Sequence, residues 1–65
     1  MNAREITAGK KIYVSDPSTT IYLCRGIIIS THHIFEELET FEIMWDDGTK
    51  SEWFRIQAYY LSELP

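Results

Sequence analysis

Apolar and polar residues alternate in short runs along the chain, and turn-forming residues separate the runs. In the first run, Ile12 and Val14 share one face of a predicted strand. Residues 16–19 (DPST) predict a turn, because proline fixes its φ and Asp and Ser bond locally to the backbone. A longer run over residues 20–31 is apolar on both faces. It predicts a strand that bends, with Gly26 at a bulge or tight barrel bend.

The second half of the chain continues the strand pattern. The segment THHIFEEL, residues 31–38, is the least strand-like and predicts either one helical turn or an extended loop. The elements predicted after it are a strand over residues 39–46, a hairpin turn at Asp47-Gly48, a strand over residues 49–55, a short 3₁₀ turn over residues 56–60 and a brief strand over residues 61–64.

Five short strands in 65 residues predict an all-β fold, a small five-stranded antiparallel barrel. Residues 1–8 are expected to form a loose lead-in, and residues 9–65 a single domain. The alternation predicts that one residue set is largely buried: Ile12, Val14, Ile27, Ile43, Phe54 and Leu61.

Charge is unevenly distributed along the chain, whose formal net charge is −4. Residues 1–30 carry four basic and two acidic side chains, whereas residues 31–65 carry two basic and eight acidic ones. No basic stripe of the kind that neutralises nucleic-acid phosphates is visible. The acidic half fits either a basic partner or simple solubility.

Other sequence features address location. The longest apolar run, Ile27-Ile28-Ile29, is far shorter than the roughly 18 residues of a membrane span. No signal peptide is predicted. A lone cysteine, Cys24, fits a reducing compartment, so we expect a cytoplasmic protein.

Three motifs resemble the Tudor domains of the SH3-like small-barrel class. Gly9-Lys10-Lys11-Ile12-Tyr13-Val14 is similar to their first strand, and Tyr22-Leu23-Cys24-Arg25-Gly26-Ile27-Ile28 to their bent strand with a central glycine. Phe41-Glu42-Ile43-Met44-Trp45-Asp46-Asp47-Gly48 resembles their third strand and its turn. The resemblance covers about residues 9–64 and implies a Tudor-like barrel.

Many Tudor domains bind methylated lysine or arginine in an aromatic cage. The resemblance places Trp45 at a cage aromatic position and Asp47 at the acidic position of the turn. At two other aromatic positions this sequence has Cys24 and Thr49, and the loop over residues 16–19 has no aromatic residue. Tyr22, two residues before Cys24, is a candidate partial substitute.

The candidate binding face surrounds the Asp47-Gly48 turn. It comprises Trp45, Asp46, Asp47 and Trp53, with Tyr22 as an added ring and Glu42 and Glu52 as rim charges. An aromatic anchor would supply desolvated contact area, and the acidic rim would steer a basic partner.

The sequence favours a non-enzymatic module that binds a basic protein segment or a nucleic-acid-binding surface, for example as a small inhibitor or adaptor. A nucleic-acid-binding SH3-like barrel and a structural subunit of a larger assembly are the alternatives. No cofactor or metal site is expected, because His32, His33 and the nearby glutamates are more typical of a solvated loop. Self-association is left open.

Overall fold

The computed structural model describes all residues, 1–65, and is built mainly of strands. The strands are β1 (Lys11–Val14), β2 (Arg25–Phe35), β3 (Leu38–Trp45), β4 (Lys50–Phe54) and β5 (Leu61–Glu63). Two 3₁₀ helices, η1 (Ala3–Glu5) and η2 (Arg55–Tyr60), complete the fold. The predicted all-β class is confirmed. Neither helix is long and apolar enough to cross a membrane.

All five strands belong to one antiparallel sheet in the order β4-β3-β2-β1-β5. Strands β4 and β5 do not pair, so the sheet is open and the predicted closed barrel is not confirmed. The six residues of η2 connect the two edges. At about 2 Å of rise per residue, that connection is short enough to require a curled sheet. The architecture is compatible with an SH3-like fold.

The core lies on the inner face of the curled sheet. Its fully buried apolar strand residues are Ile12, Val14, Ile28, Phe41, Ile43 and Leu61. Four of the six predicted core residues are therefore confirmed: Ile12, Val14, Ile43 and Leu61. Ile6, between η1 and β1, and Ala58 of η2 pack into the same cluster. The segment 1–8 thus contributes a side chain to the core.

The prediction for Ile27 is wrong by one position, because Ile28 is the buried residue of β2. Register explains the difference. Ile12 pairs with Gly26, so Gly26 and Ile28 face the core, whereas Ile27 lies in the outer row with its partner Lys11. Three consecutive isoleucines carry no period-2 signal, so the sequence left the choice of face undetermined.

Phe54 was also predicted to be largely buried, and it is only partly so. It pairs with Thr40, one position beyond the Phe41–Trp53 pair, so its side chain lies on the opposite face from Trp53. There its ring centroid is 6.3 Å from that of Phe35.

The bounds of β2 differ from the predicted strand over residues 20–31. Residues 20–23 form turns, with Leu23 at a positive φ of 69°, and the strand begins at Arg25. The Leu23 N–H donates to the Val14 carbonyl, and the Val14 N–H donates to the Cys24 carbonyl. These two backbone bonds close the loop after β1. The apolar residues of the loop do not predict them.

Residues 31–38 form neither a helical turn nor a loop. They extend β2 to Phe35 and begin β3 at Leu38, with Glu36 and Glu37 alone forming the turn. Both glutamates have positive φ, as two-residue type I′ hairpin turns require. Such a turn is usually predicted from an Asn-Gly pair, so the Glu36-Glu37 pair did not indicate it. Irregular register between Ile28 and His33 further obscured the alternation.

The two adjacent isoleucines provide a matched test of the face assignment. Ile28→Ala should lower the free energy of unfolding by about 2–5 kcal/mol, because it removes a fully buried side chain and leaves a cavity. Ile27→Ala should cost less than half as much. Chemical denaturation of both variants measures the difference, and equal losses would contradict the observed register.

Candidate functional site

A cleft of about 520 Å³ opens at the end of the sheet where β3 meets β4. We call it the tryptophan cleft. One side is formed by Ile21, Cys24 and Arg25 at the end of the β1–β2 loop. The other side is formed by the β3–β4 hairpin, through Trp45, Asp46, Asp47, Thr49, Ser51 and Trp53.

The β3–β4 turn adopts the conformation that its sequence favours. The Gly48 N–H donates to the Trp45 carbonyl at 2.9 Å, and the Trp45 N–H donates to the Thr49 carbonyl at 2.8 Å. Gly48 has a φ of 88°. A three-residue hairpin loop that ends in a left-handed glycine has this geometry. The predicted hairpin at Asp47-Gly48 is confirmed.

The Asp47 carboxylate stabilises this turn. Its Oδ1 accepts bonds from the Thr49 N–H at 2.9 Å and from the Thr49 hydroxyl at 2.6 Å. Both bonds lower the pKa of Asp47 from its ordinary value of 3.8, and the bond from the Thr49 hydroxyl has the larger effect. The neighbouring Asp46 carboxylate is exposed and makes no hydrogen bond within the chain, so it is free to meet a ligand.

Trp45 and Trp53 form the aromatic part of the cleft. They share the inner face of the sheet, and their ring centroids are 6.0 Å apart at an interplanar angle of 56°. Both indole N–H groups donate to one acceptor, the Ser51 Oγ, at 2.8 Å and 3.1 Å. With their polar groups engaged inside the protein, the indoles can offer a ligand only π surface and apolar edge.

Gly26 determines where the Trp45 ring lies. The two residues pair across β2 and β3, and a Cβ at Gly26 would lie 3.1 Å from the Trp45 Cε3 atom. The same Cβ would lie 2.7 Å from the Met44 carbonyl oxygen, a distance that backbone cannot relieve without moving. The missing side chain therefore admits the indole over β2. Gly26 therefore allows β3 to approach β2 closely. It does not mark a bulge, because the irregular register of β2 lies further along the strand.

The aromatic surface continues beyond the cleft onto η2. Trp53 meets Tyr60 edge-on, with centroids 6.2 Å apart, and Tyr60 contacts Tyr59 at 4.2 Å. Tyr59 is well exposed. A ligand longer than the cleft would find further rings along this line.

The structure brings together four of the seven candidate site residues: Trp45, Asp46, Asp47 and Trp53 line one cleft. Tyr22 is exposed in the β1–β2 loop and does not line it, although Ile21 and Cys24 do. Glu42 and Glu52 pair with each other across β3 and β4 on the outer face, away from the indoles.

Sequence reasoning missed Ile21, Arg25 and Ser51 as parts of the cleft. Ser51 precedes Trp53 by two residues and thus shares its face, a signal that the period of a strand contains. Arg25 had no such signal, because its position depends on the turns that precede β2. Cys24 and Thr49, the two residues at aromatic cage positions of the Tudor pattern, do line the cleft.

No group of three or more His, Cys, Asp or Glu residues is arranged to hold a metal ion. The His33 Nε2 lies 2.8 Å from the Ser30 hydroxyl. Cys24 is a free, exposed thiol, and His32 is eight residues further along the chain.

Comparison of the chain with protein-family models, with curated proteins and with solved structures finds no match. The chemistry that can be assigned to the cleft therefore rests on its own residues. Those residues provide two indole faces, one free and one turn-bound carboxylate, and a single guanidinium from Arg25.

The Asp47 bonds predict a pH-dependent turn. The pKa of Asp47 is lower in the folded chain than its ordinary value of 3.8. The stability that the Asp47 carboxylate contributes is therefore fully present above pH 3.8 and is lost as the pH falls through the pKa of the folded chain. Asp47→Asn should therefore lose less stability than the wild type between about pH 5 and about pH 2. Urea melts across this range measure the effect.

Asp46→Asn is the matched control, because the Asp46 side chain makes no hydrogen bond within the chain. It should leave the bonds from Thr49 to Asp47 in place. If Asp46→Asn reduces the loss of stability at low pH as much as Asp47→Asn does, the Thr49 bonds are not the source of that loss.

Proposed function

We propose that this chain is a non-enzymatic binding module, a Tudor-like member of the SH3-like small-barrel class, that holds a basic protein segment in the tryptophan cleft. The observation that carries the proposal is the shared Ser51 acceptor. It fixes two indoles side by side in the lining of the cleft, where their π faces would form the proposed binding surface. Such faces attract Arg and Lys side chains.

Charge in and around the cleft supports the same class of ligand. Asp46 is free to pair with a cation, and Asp47 adds a second negative charge held at the turn. Arg25 offsets one of the two charges, so specificity requires a segment that places its cation beside Asp46 and away from Arg25. A phosphate backbone would meet both carboxylates, which weighs against the nucleic-acid alternative.

The Tudor resemblance supports the location of the cleft but not a methylation requirement. Cys24 and Thr49 line it where cage aromatics would stand, so the cleft has two aromatic walls, Trp45 and Trp53. A methylated cation loses hydrogen-bond donors and depends on enclosing rings. We therefore expect an unmodified basic segment to bind about as well as a methylated one.

Action by binding alone is part of the proposal. The cleft contains a thiol, Cys24, but the described contacts give it no base and no oxyanion donor pair. A small module of this kind acts by occupying or tethering a basic surface of another protein, as an inhibitor or adaptor does. The free, exposed thiol accords with a reducing compartment, and we propose a cytoplasmic location.

The proposal predicts that the cleft binds an arginine- and lysine-rich peptide that lacks apolar residues. Adding it to the labelled protein should shift the indole N–H signals of Trp45 and Trp53 saturably, and a glutamate-rich peptide should not. Trp45→Ala should weaken binding by at least about 2 kcal/mol, roughly thirtyfold. Asp46→Asn should mainly flatten the salt dependence.

Tyr22→Ala is the control variant, since Tyr22 is an exposed aromatic residue outside the cleft. It should leave affinity unchanged. Thermal melts establish that each variant is folded before binding is compared. If the indole signals stay unmoved by the basic peptide, or if a methylated lysine peptide alone binds near or below about 1 μM, the proposed recognition is wrong.

A further inference from the structure

A second apolar surface lies at the tip of the β2–β3 hairpin. We call it the hairpin-tip patch and define it as Phe35, Leu38, Phe54 and Ile56. Phe35 is 49% exposed, Leu38 46% and Ile56 72%, which is high for large apolar side chains in so small a domain. The ring of Phe35 packs on that of Phe54, so the patch is continuous across the sheet.

The patch contains a groove as well as exposed side chains. A cavity of about 290 Å³ lies between the start of β3 and the start of η2, and its apolar lining comprises Ala3, Leu38, Phe54 and Ile56. The elements around it are held together: the Arg55 guanidinium donates to the Ala3 carbonyl and lies 3.2 Å from the Glu39 carboxylate. Arg55 thus connects η1, η2 and β3 beside the groove.

The hairpin-tip patch is separate from the tryptophan cleft. Phe54 and Trp53 are successive residues of β4 and lie on opposite faces of the sheet. The two surfaces also lie at opposite ends of β3, whose eight residues span about 23 Å at the usual strand rise. A single short segment cannot occupy both surfaces.

Three acidic side chains lie beside the patch, at the β2–β3 turn and the start of β3. Glu36 and Glu37 form the turn beside it, and both are exposed. Glu39 begins the adjacent strand, and its only cationic neighbour is Arg55, which is already engaged by the Ala3 carbonyl. These three carboxylates outnumber the one guanidinium, so the charge on this side of the apolar patch is negative.

We propose that the hairpin-tip patch is a docking surface for a partner protein segment whose apolar side chains are flanked by lysine or arginine. Leucine-sized side chains fit a groove lined by Leu38, Phe54 and Ile56, and flanking cations complement Glu36, Glu37 and Glu39. A second copy of this chain fits less well, because a two-fold contact would oppose six glutamates. An anionic membrane surface would be repelled in the same way.

The test uses an amphipathic peptide of about 18 residues, with leucines at helical i, i+3, i+4 spacing and lysines elsewhere. Its titration into the labelled 65-residue chain should shift the amide signals of residues 35–38 and 54–56. In the double variant Leu38→Ser with Ile56→Ser, affinity measured at these signals should fall at least tenfold. The indole signals of Trp45 and Trp53 should respond to the peptide equally in both proteins.

Leu23→Ser is the matched control, because Leu23 is 57% exposed but lies in the β1–β2 loop. It should bind the peptide like the wild type, and a peptide with glutamate in place of lysine should not bind. Unmoved hairpin-tip signals, or unchanged affinity in the double variant, would overturn the proposal. Self-association in sedimentation that the double variant abolishes would overturn it too, by assigning the patch to a second copy. Unmoved indoles would instead count against the tryptophan cleft.

Discussion

The close approach of β3 to Gly26 is the constraint on which the rest of the structure depends. Gly26 lies in the middle of the sheet, paired with Ile12 on one side and with Trp45 on the other. Because it has no side chain, β3 can pack tightly there, and the Trp45 indole occupies the space above β2. That contact fixes the register that buries Ile28 and Ile43, and it orients one of the two tryptophans of the cleft.

Sequence reasoning succeeded where local chemistry and periodicity agree. The strand through Ile43, the Asp47-Gly48 turn and the last two elements follow from alternation and turn residues. It failed over residues 20–38, where these signals are weak or misleading. Three consecutive isoleucines hide the face of β2, and Glu36-Glu37 occupies a turn that usually takes Asn-Gly. In that region tertiary register overrides local preference.

The candidate site was likewise predictable from the sequence only in part. Trp45 and Trp53 could be placed together from the sequence, since both flank one hairpin. Their common acceptor, Ser51, follows from the same strand period, but the hydrogen bonds became visible only in the structure. The hairpin-tip patch was hidden because Phe35 and Leu38 belong to the mispredicted segment and Phe54 was predicted to be buried. Both surfaces combine apolar area with carboxylates, which is why we propose basic partners for both, although they differ in shape and position.

The measurement that tests this account most directly is the stability of Gly26→Ala, compared with Gly9→Ala. A Cβ at Gly9 would have no atom within 4 Å, and only the positive φ of 91° disfavours a side chain there. A Cβ at Gly26 would instead clash with the Met44 carbonyl oxygen and the Ile43 side chain. Gly26→Ala should therefore lose clearly more unfolding free energy than Gly9→Ala and displace the Trp45 indole N–H signal. Wild-type stability with unchanged indole signals in Gly26→Ala would contradict the account, because the packing of β3 on Gly26 would then not determine the cleft.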